Sequence, residues 1–313
     1  MKFTIEIEPI PPFNLVYTAW LLKRSSKNLL EHIEGNSYIR SLTIDATPVL
    51  VKVTQINLSR GSSINIELHA DSEYEAEKVV KTIEKMVGMY VDLYRFYNIS
   101  TNNNQLKFLV NKFIGAKPVV FPTIFETLVN AITCQQVSLE SCLTILSRLV
   151  VKLGEKIKEN DKIFYSFPDP IKLSKSSEEE LRSIGYSRPK IRYIKQIATK
   201  FSDNELSEEK LNTLSDDDII SVFSKLKGIG KWSLDYILLR GYGKLNVFPT
   251  GDVGAQNKIR KFFNLSYTPN DKQIDEMLKP WSNYKGLVYF YLLLASLEEK
   301  GILKTKNPTS LSL

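Results

Sequence analysis

The apolar positions of the chain change period near residue 100. Before it, the runs Phe3-Thr-Ile-Glu-Ile, Tyr38-Ile-Arg-Ser-Leu-Thr-Ile, Val49-Leu-Val-Lys-Val-Thr and Ile64-Asn-Ile-Glu-Leu alternate and are rich in β-branched residues. They predict strands, with Gly61-Ser-Ser as a turn between two of them. Phe13 to His32 and Tyr74 to Val91 carry the spacing of helices. The set predicts an antiparallel sheet with two helices. Asn98 to Asn104 is a polar break, and from Leu106 the spacing is helical. Helices are predicted over Phe125 to Ser138, Leu139 to Leu153, Glu178 to Ile184, Lys190 to Phe201, Val253 to Phe263, Gln273 to Leu278 and Gly286 to Leu297. The expected class is α+β: an N-terminal α/β domain over 1–100, a mostly helical body over 105–300 and a tail over 301–313.

The densest signal runs from Leu226 to Asp252. Ser215-Asp-Asp-Asp218 opens an apolar-periodic segment through Ile219, Ile220, Val222, Phe223 and Leu226. That is the pattern of a capped helix with acids at its positive end. Gly228 and Gly230 bracket Ile229 and let the backbone turn tightly and approach another molecule. Trp232, Leu234, Tyr236, Ile237, Leu238 and Leu239 then recur at helical spacing until Gly241. The unit over 216–241 is therefore helix, Gly-x-Gly hairpin, helix. Amides opening the second helix can hold a phosphate, with the charge of Lys231 beside them. Phe248-Pro-Thr-Gly-Asp252 delivers a carboxylate on a loop before another amphipathic helix. Alone, the hairpin is an ordinary helical turn and Asp252 an ordinary cap.

Charge and cysteine content narrow the partners. Across 313 residues the net charge is +7, which favours a polyanion. No long apolar span or lipidation motif is present, so nucleic acid is expected rather than a membrane. Cys134 and Cys142 are the only cysteines. They build no disulfide framework and cannot ligate a four-iron cluster, and a reducing compartment is expected. His32 and His69 lie far from the hairpin, against a zinc site. The N-terminus lacks a signal-peptide core, so the expected location is the cytoplasm of a prokaryote or the nucleus of a eukaryote.

Leu226-Lys-Gly-Ile-Gly-Lys-Trp232, Tyr236, Leu239-Arg-Gly241, Val247-Phe-Pro249 and Asp252 resemble the helix–hairpin–helix (HhH-GPD) DNA glycosylases, and most of all their 3-methyladenine DNA glycosylase II branch. The resemblance covers about residues 1 to 300. It implies two helical subdomains with a substrate cleft between them, double-stranded DNA with damaged bases as partner, and action as a monomer. It makes Asp252 the catalytic carboxylate, and Gln136, beside Gln135, the wedge that fills the gap left by a flipped base. It makes Trp232, Tyr236, Trp281 and Trp20 the walls of the base pocket. It also implies a monovalent cation held by the backbone carbonyls of Ser224, Leu226 and Ile229, with no other cofactor.

The chemistry fits these residue types. Cleaving an N-glycosidic bond leaves an oxocarbenium-like sugar, which a carboxylate stabilises while it orients water. An alkylated purine is cationic, and aromatic faces attract it. Bifunctional members of the family carry a lysine nucleophile two residues after the second hairpin glycine. Here that position is Trp232, and Lys231 projects about 100° away around the helix, so a monofunctional enzyme is expected. Val253 departs from the branch, which commonly has an aromatic there. The alternatives are a glycosylase for oxidised or deaminated bases and a non-catalytic binder of damaged DNA.

Overall fold

The computed structural model describes residues 1–45, 47–56 and 63–304; Gly61 and Ser62 of the expected turn lie outside them. Five strands form one antiparallel sheet: β1 (Lys2–Ile7), β2 (His32–Glu34), β3 (Ser37–Ile44), β4 (Thr47–Gln55) and β5 (Ile64–His69), in the order β1-β5-β4-β3-β2. Two helices accompany it, α1 (Leu15–Lys23) and α2 (Glu73–Met86). Helix α2 buries Ala76, Val79, Val80, Ile83 and Met86, an apolar stripe at helical spacing.

The helix expected over Phe13 to His32 stops much sooner. Arg24 takes the left-handed conformation (φ 57°) and its N–H closes on the Trp20 carbonyl. The chain then reverses into β2, so Leu29 and Leu30 belong to a loop. The expected break at Asn98 to Asn104 is mostly helical, with α3 (Tyr94–Ser100) before and α4 (Asn104–Lys112) after a short turn.

The helical body continues with α5 (Ile124–Cys134), α6 (Leu139–Leu153), α7 (Pro170–Lys175), α8 (Glu178–Ile184), α9 (Arg188–Ser202), α10 (Glu208–Asn212), α11 (Asp216–Ser224) and α12 (Lys231–Arg240). A hairpin of β6 (Lys156–Glu159) and β7 (Lys162–Tyr165), which the periodicity misses, interrupts it. Helices α13 (Val253–Phe262), α14 (Asp271–Met277) and α15 (Lys285–Glu299) follow, with a 3-10 turn over Lys279–Tyr284. No helix of the described residues is long and apolar enough to cross a membrane.

Two apolar cores result, and they divide the chain differently from a sheet domain followed by a helical body. The first joins the sheet, α1 and α2 to α13 and α15; the second gathers α5, α6, α8, α9 and α11. Helix α12 serves both: Leu239 is in the first core, Tyr236, Ile237 and Leu238 in the second. The seam between cores is thus built on the second hairpin helix. Residues 300–304 also depart from a frayed tail, since Leu303 is 2% exposed in the first core.

A buried ionic cluster crosses the seam. The Arg40 guanidinium on β3 pairs with Glu31 and donates to both oxygens of Glu126 on α5, at 2.7 and 2.6 Å. All three side chains are at most 2% exposed. Tyr38 donates to the other Glu31 oxygen at 2.5 Å.

The cysteines, too few for a disulfide framework and expected in a reducing compartment, are bonded to each other with Cα atoms 4.9 Å apart. Cys134 ends α5 and Cys142 lies in the first turn of α6. The reversal between them, with Gln136 in the left-handed conformation (φ 53°), brings the two helices together.

Candidate active site

The hairpin is fixed by its two glycines in different ways. Ser215 caps α11 by accepting the Asp218 N–H, with Asp216, Asp217 and Asp218 in its first turn. The Ile229 N–H then closes on the Leu226 carbonyl at 3.1 Å. Gly228 sits at φ +89°, and a Cβ there would meet the Tyr193 ring at 2.4 Å, so both conformation and packing require glycine. Gly230 is different: its φ is −103° and a Cβ would find nothing within 4 Å. It is the N-cap of α12, and no side chain bonds the helix's first amides. Those amides are open to an acceptor from outside.

Lys231, expected beside a phosphate, is held by its own chain. Its ammonium donates to Thr250 Oγ1 at 2.9 Å, Asp271 at 3.1 Å and Asp235 at 3.4 Å. Its side chain is nonetheless 66% exposed beside the α12 amides. Gln135 is likewise engaged: its Nε2 donates to the Gly228 carbonyl at 2.6 Å and to Ser233 at 2.8 Å. It ties the α5–α6 loop to the hairpin, leaving Gln136 exposed at the tip. Lys190 adds a second tie, donating to the Thr133 and Gln135 carbonyls at 2.8 Å each. Between loop and hairpin lies a concavity of about 550 Å³ lined by Gln135, Gln136, Lys190, Tyr193, Gly228 and Gly230.

The acid and the aromatic wall meet at the seam. Asp252 is the N-cap of α13; one oxygen accepts the Ala255 N–H at 2.8 Å and the other the Trp232 indole N–H at 3.3 Å. The carboxylate stands at the positive end of a helix with a fixed direction. Trp232 stacks on Tyr236 with ring centroids 5.5 Å apart and 32° between planes. Tyr289 of α15 packs edge-on to Phe248 at 5.8 Å. Desolvation, and then the Asp252 charge, push its phenol above the ordinary range.

The other two tryptophans are placed elsewhere. Trp281 is 4% exposed in the first core, and its indole N–H has no partner. Among the described residues it makes no ring contact with Trp232 or Tyr236. Trp20, half-buried on α1, packs against the same first core.

Three groups escaped the sequence reading. Arg24, 4% exposed, donates from Nη1 to the Tyr236 hydroxyl at 3.1 Å. Its guanidinium lies 5.6 Å from the Phe121 ring centroid, and that of Arg240 lies 4.8 Å from the same ring. Phe121 in turn is 6.2 Å from Tyr236. Arg240 is 1% exposed; Nη2 donates to the Leu21 carbonyl at 3.1 Å, while Nε and Nη1 have no partner. Burial, and then the Arg24 charge, lower its guanidinium to about 10. One signal was available: Arg240 is a charged residue that directly continues a buried run, Tyr236 to Leu239.

The carbonyl set assigned to a monovalent cation consists of neutral oxygens, the donor type such an ion takes. Leu226 keeps one lone pair after accepting the Ile229 N–H. Among the described residues no cluster of His, Cys, Asp or Glu could hold a metal.

The chain is 28% identical over 275 residues to a DNA-3-methyladenine glycosylase of Bacillus subtilis, covering 87% of this chain and 90% of that one. It is 22% identical to the DNA-3-methyladenine glycosylase 2 of Escherichia coli, covering 90% and 94%. Its fold matches a solved 3-methyladenine DNA glycosylase from Archaeoglobus fulgidus with a TM-score of 0.81 at 23% identity, over 93% of this chain and 97% of that one. A family model matches residues 129–283, from within α5 through the hairpin and Asp252 to the 3-10 turn. The chain thus belongs to the HhH-GPD superfamily of base excision DNA repair proteins.

Proposed function

We propose that this chain is a monofunctional DNA glycosylase that flips alkylated purines out of duplex DNA and hydrolyses their N-glycosidic bond. The observation that carries this reading is the Trp232 N–H bond to Asp252, which sets the carboxylate that matches the family's catalytic aspartate against the aromatic wall. The open amides of α12 take a DNA phosphate. Gln136 enters the gap in the stack, and the flipped base rests on Trp232 and Tyr236. Asp252 faces the sugar, stabilises the oxocarbenium charge and orients water for attack. The working unit in this reading is a monomer, as the family resemblance implies. A monovalent cation on the carbonyls of Ser224, Leu226 and Ile229 would add positive charge beneath the phosphate.

Water as nucleophile rests on the side chain at 232, an indole already bonded to Asp252, and on a Lys231 ammonium held by Asp271 and Asp235. Two assays test the reading. Wild-type protein should release 3-methyladenine from methylated duplex, and Asp252→Asn should lower that rate by roughly 10²–10³ with duplex binding retained. Borohydride should trap no covalent complex. A variant keeping a tenth of the rate would remove Asp252 from the centre; trapping at any lysine would replace water by an imine mechanism.

A further inference from the structure

The base wall has cations behind it. Arg24 and Arg240 are both buried, and among the described residues neither is paired with a carboxylate. The nearest buried acids, Glu31 and Glu126, are taken by Arg40. Both guanidiniums lie over Phe121, so that ring has already spent its attraction for positive charge. Arg24 goes one step further by donating to the hydroxyl of Tyr236. A phenol that accepts a hydrogen bond from a cation loses electron density from its ring, and the ring holds a second cation less well.

We infer that Arg24 sets the charge selectivity of the base pocket: bonded to Tyr236, it offsets the pocket's attraction for cationic bases and widens its range toward neutral lesions. The inference rests on the glycosylase reading above. Trp232 still draws a cationic base, and Tyr236, polarised from behind, supplies mainly shape and apolar surface. Two unpaired positive charges within the wall oppose a third. The class admitted by this arrangement is neutral deaminated purine, such as hypoxanthine, alongside 3-methyladenine. Arg240, more deeply placed and with two nitrogens unpartnered, adds to the same field.

Arg24 is a positioning residue in this account, and its test reads a ratio that mere structural support leaves unchanged. Single-turnover release of 3-methyladenine and of hypoxanthine is measured for wild type, Arg24→Met, Arg24→Lys and Tyr236→Phe. Arg24→Met should raise the 3-methyladenine to hypoxanthine ratio roughly three- to tenfold, within the span covered by one cation–π contact. Arg24→Lys, which keeps a cationic donor, should hold the ratio near wild type. Tyr236→Phe removes the acceptor and should raise the ratio even where Arg24→Met fails to fold. Equal loss on both bases, or a ratio within twofold of wild type in Arg24→Met or Tyr236→Phe, overturns the inference. Wild type that releases neither base overturns the glycosylase reading, and this inference with it; wild type active on both bases with an unmoved ratio leaves that reading standing and sinks this one alone.

Discussion

Trp232 has two duties at the scale of a single residue. In the proposed reaction its face offers stacking to a flipped base, and its N–H holds Asp252. Substitution separates them. Loss of the hydrogen bond misplaces the carboxylate and slows all substrates alike. Loss of the indole face removes about 0.5–2 kcal/mol that a cationic base gains over a neutral one. Trp232→Ala should therefore lose 3-methyladenine release by roughly two- to thirtyfold more than hypoxanthine release, on top of a shared decrease. Trp232→Phe should show the shared decrease with a smaller difference, since phenyl binds cations less well. Equal ratios in wild type and Trp232→Ala would make the tryptophan a shape-filling wall. Much of this residue's surroundings was legible in the sequence, because Trp232, Tyr236 and Asp252 fall within one short motif. Arg24 was not: 212 residues separate it from the hydroxyl it bonds. One sequence carries no signal for such a meeting. Trp281, also a motif match, is 4% exposed in the first core, as Tyr236 is 3% exposed in the second.

Among the elements, the hairpin makes the clearest forecast. Gly228→Ala must place a Cβ into the Tyr193 ring at positive φ, which costs roughly 1–3 kcal/mol in backbone strain alone. Gly230→Ala meets nothing in the free protein. Thermal melts should show Gly228→Ala several degrees below wild type and Gly230→Ala close to it. Duplex binding by Gly230→Ala should fall, because its methyl stands where a phosphate must come near the α12 amides. Unchanged affinity in Gly230→Ala would place the DNA elsewhere. Elements whose apolar period was strong emerged with the expected bounds, as α6 and α8 did. The β6–β7 hairpin was missed although Asn160 and Asp161 both take positive φ, 46° and 60°, in the manner of a two-residue hairpin turn. The overlong α1 had the reverse cause. Leu29 and Leu30 continue the apolar spacing, but Leu30 is buried in the second core rather than on a helix face shared with α1.

Across the whole molecule, the Arg40 cluster binds the sheet to α5, and so joins the two cores that flank the site. Cutting one member leaves an uncompensated buried charge. Glu126→Gln should cost about 3–5 kcal/mol in urea unfolding, the scale for a broken buried ion pair. A loss below about 1 kcal/mol would mean that Glu31 alone suffices for Arg40. The charged residues of this cluster come from three separate segments, which the sequence lists but does not bring together. The α+β class was legible from the change of period. The return of α13 and α15 to the sheet's core was not, since apolar spacing states which face of a helix is buried and not against what.

The loop that carries Gln136 is held at every side: by the Cys134–Cys142 bond, by Gln135 on the hairpin and by Lys190 on two of its carbonyls. Its shape is settled during folding, so little ordering is left for the moment of encounter, and association gains speed. Lys190 lines the groove and would pass for a phosphate contact, yet both of its hydrogen bonds serve the loop. Lys190→Met should slow association with duplex while leaving the salt dependence of affinity nearly unaltered. A salt slope lower by about one unit would mark it instead as a phosphate ligand. If Gln136 is the wedge proposed above, the search for its conformation, which a slack loop would repeat at every site along the DNA, is here completed when the protein folds.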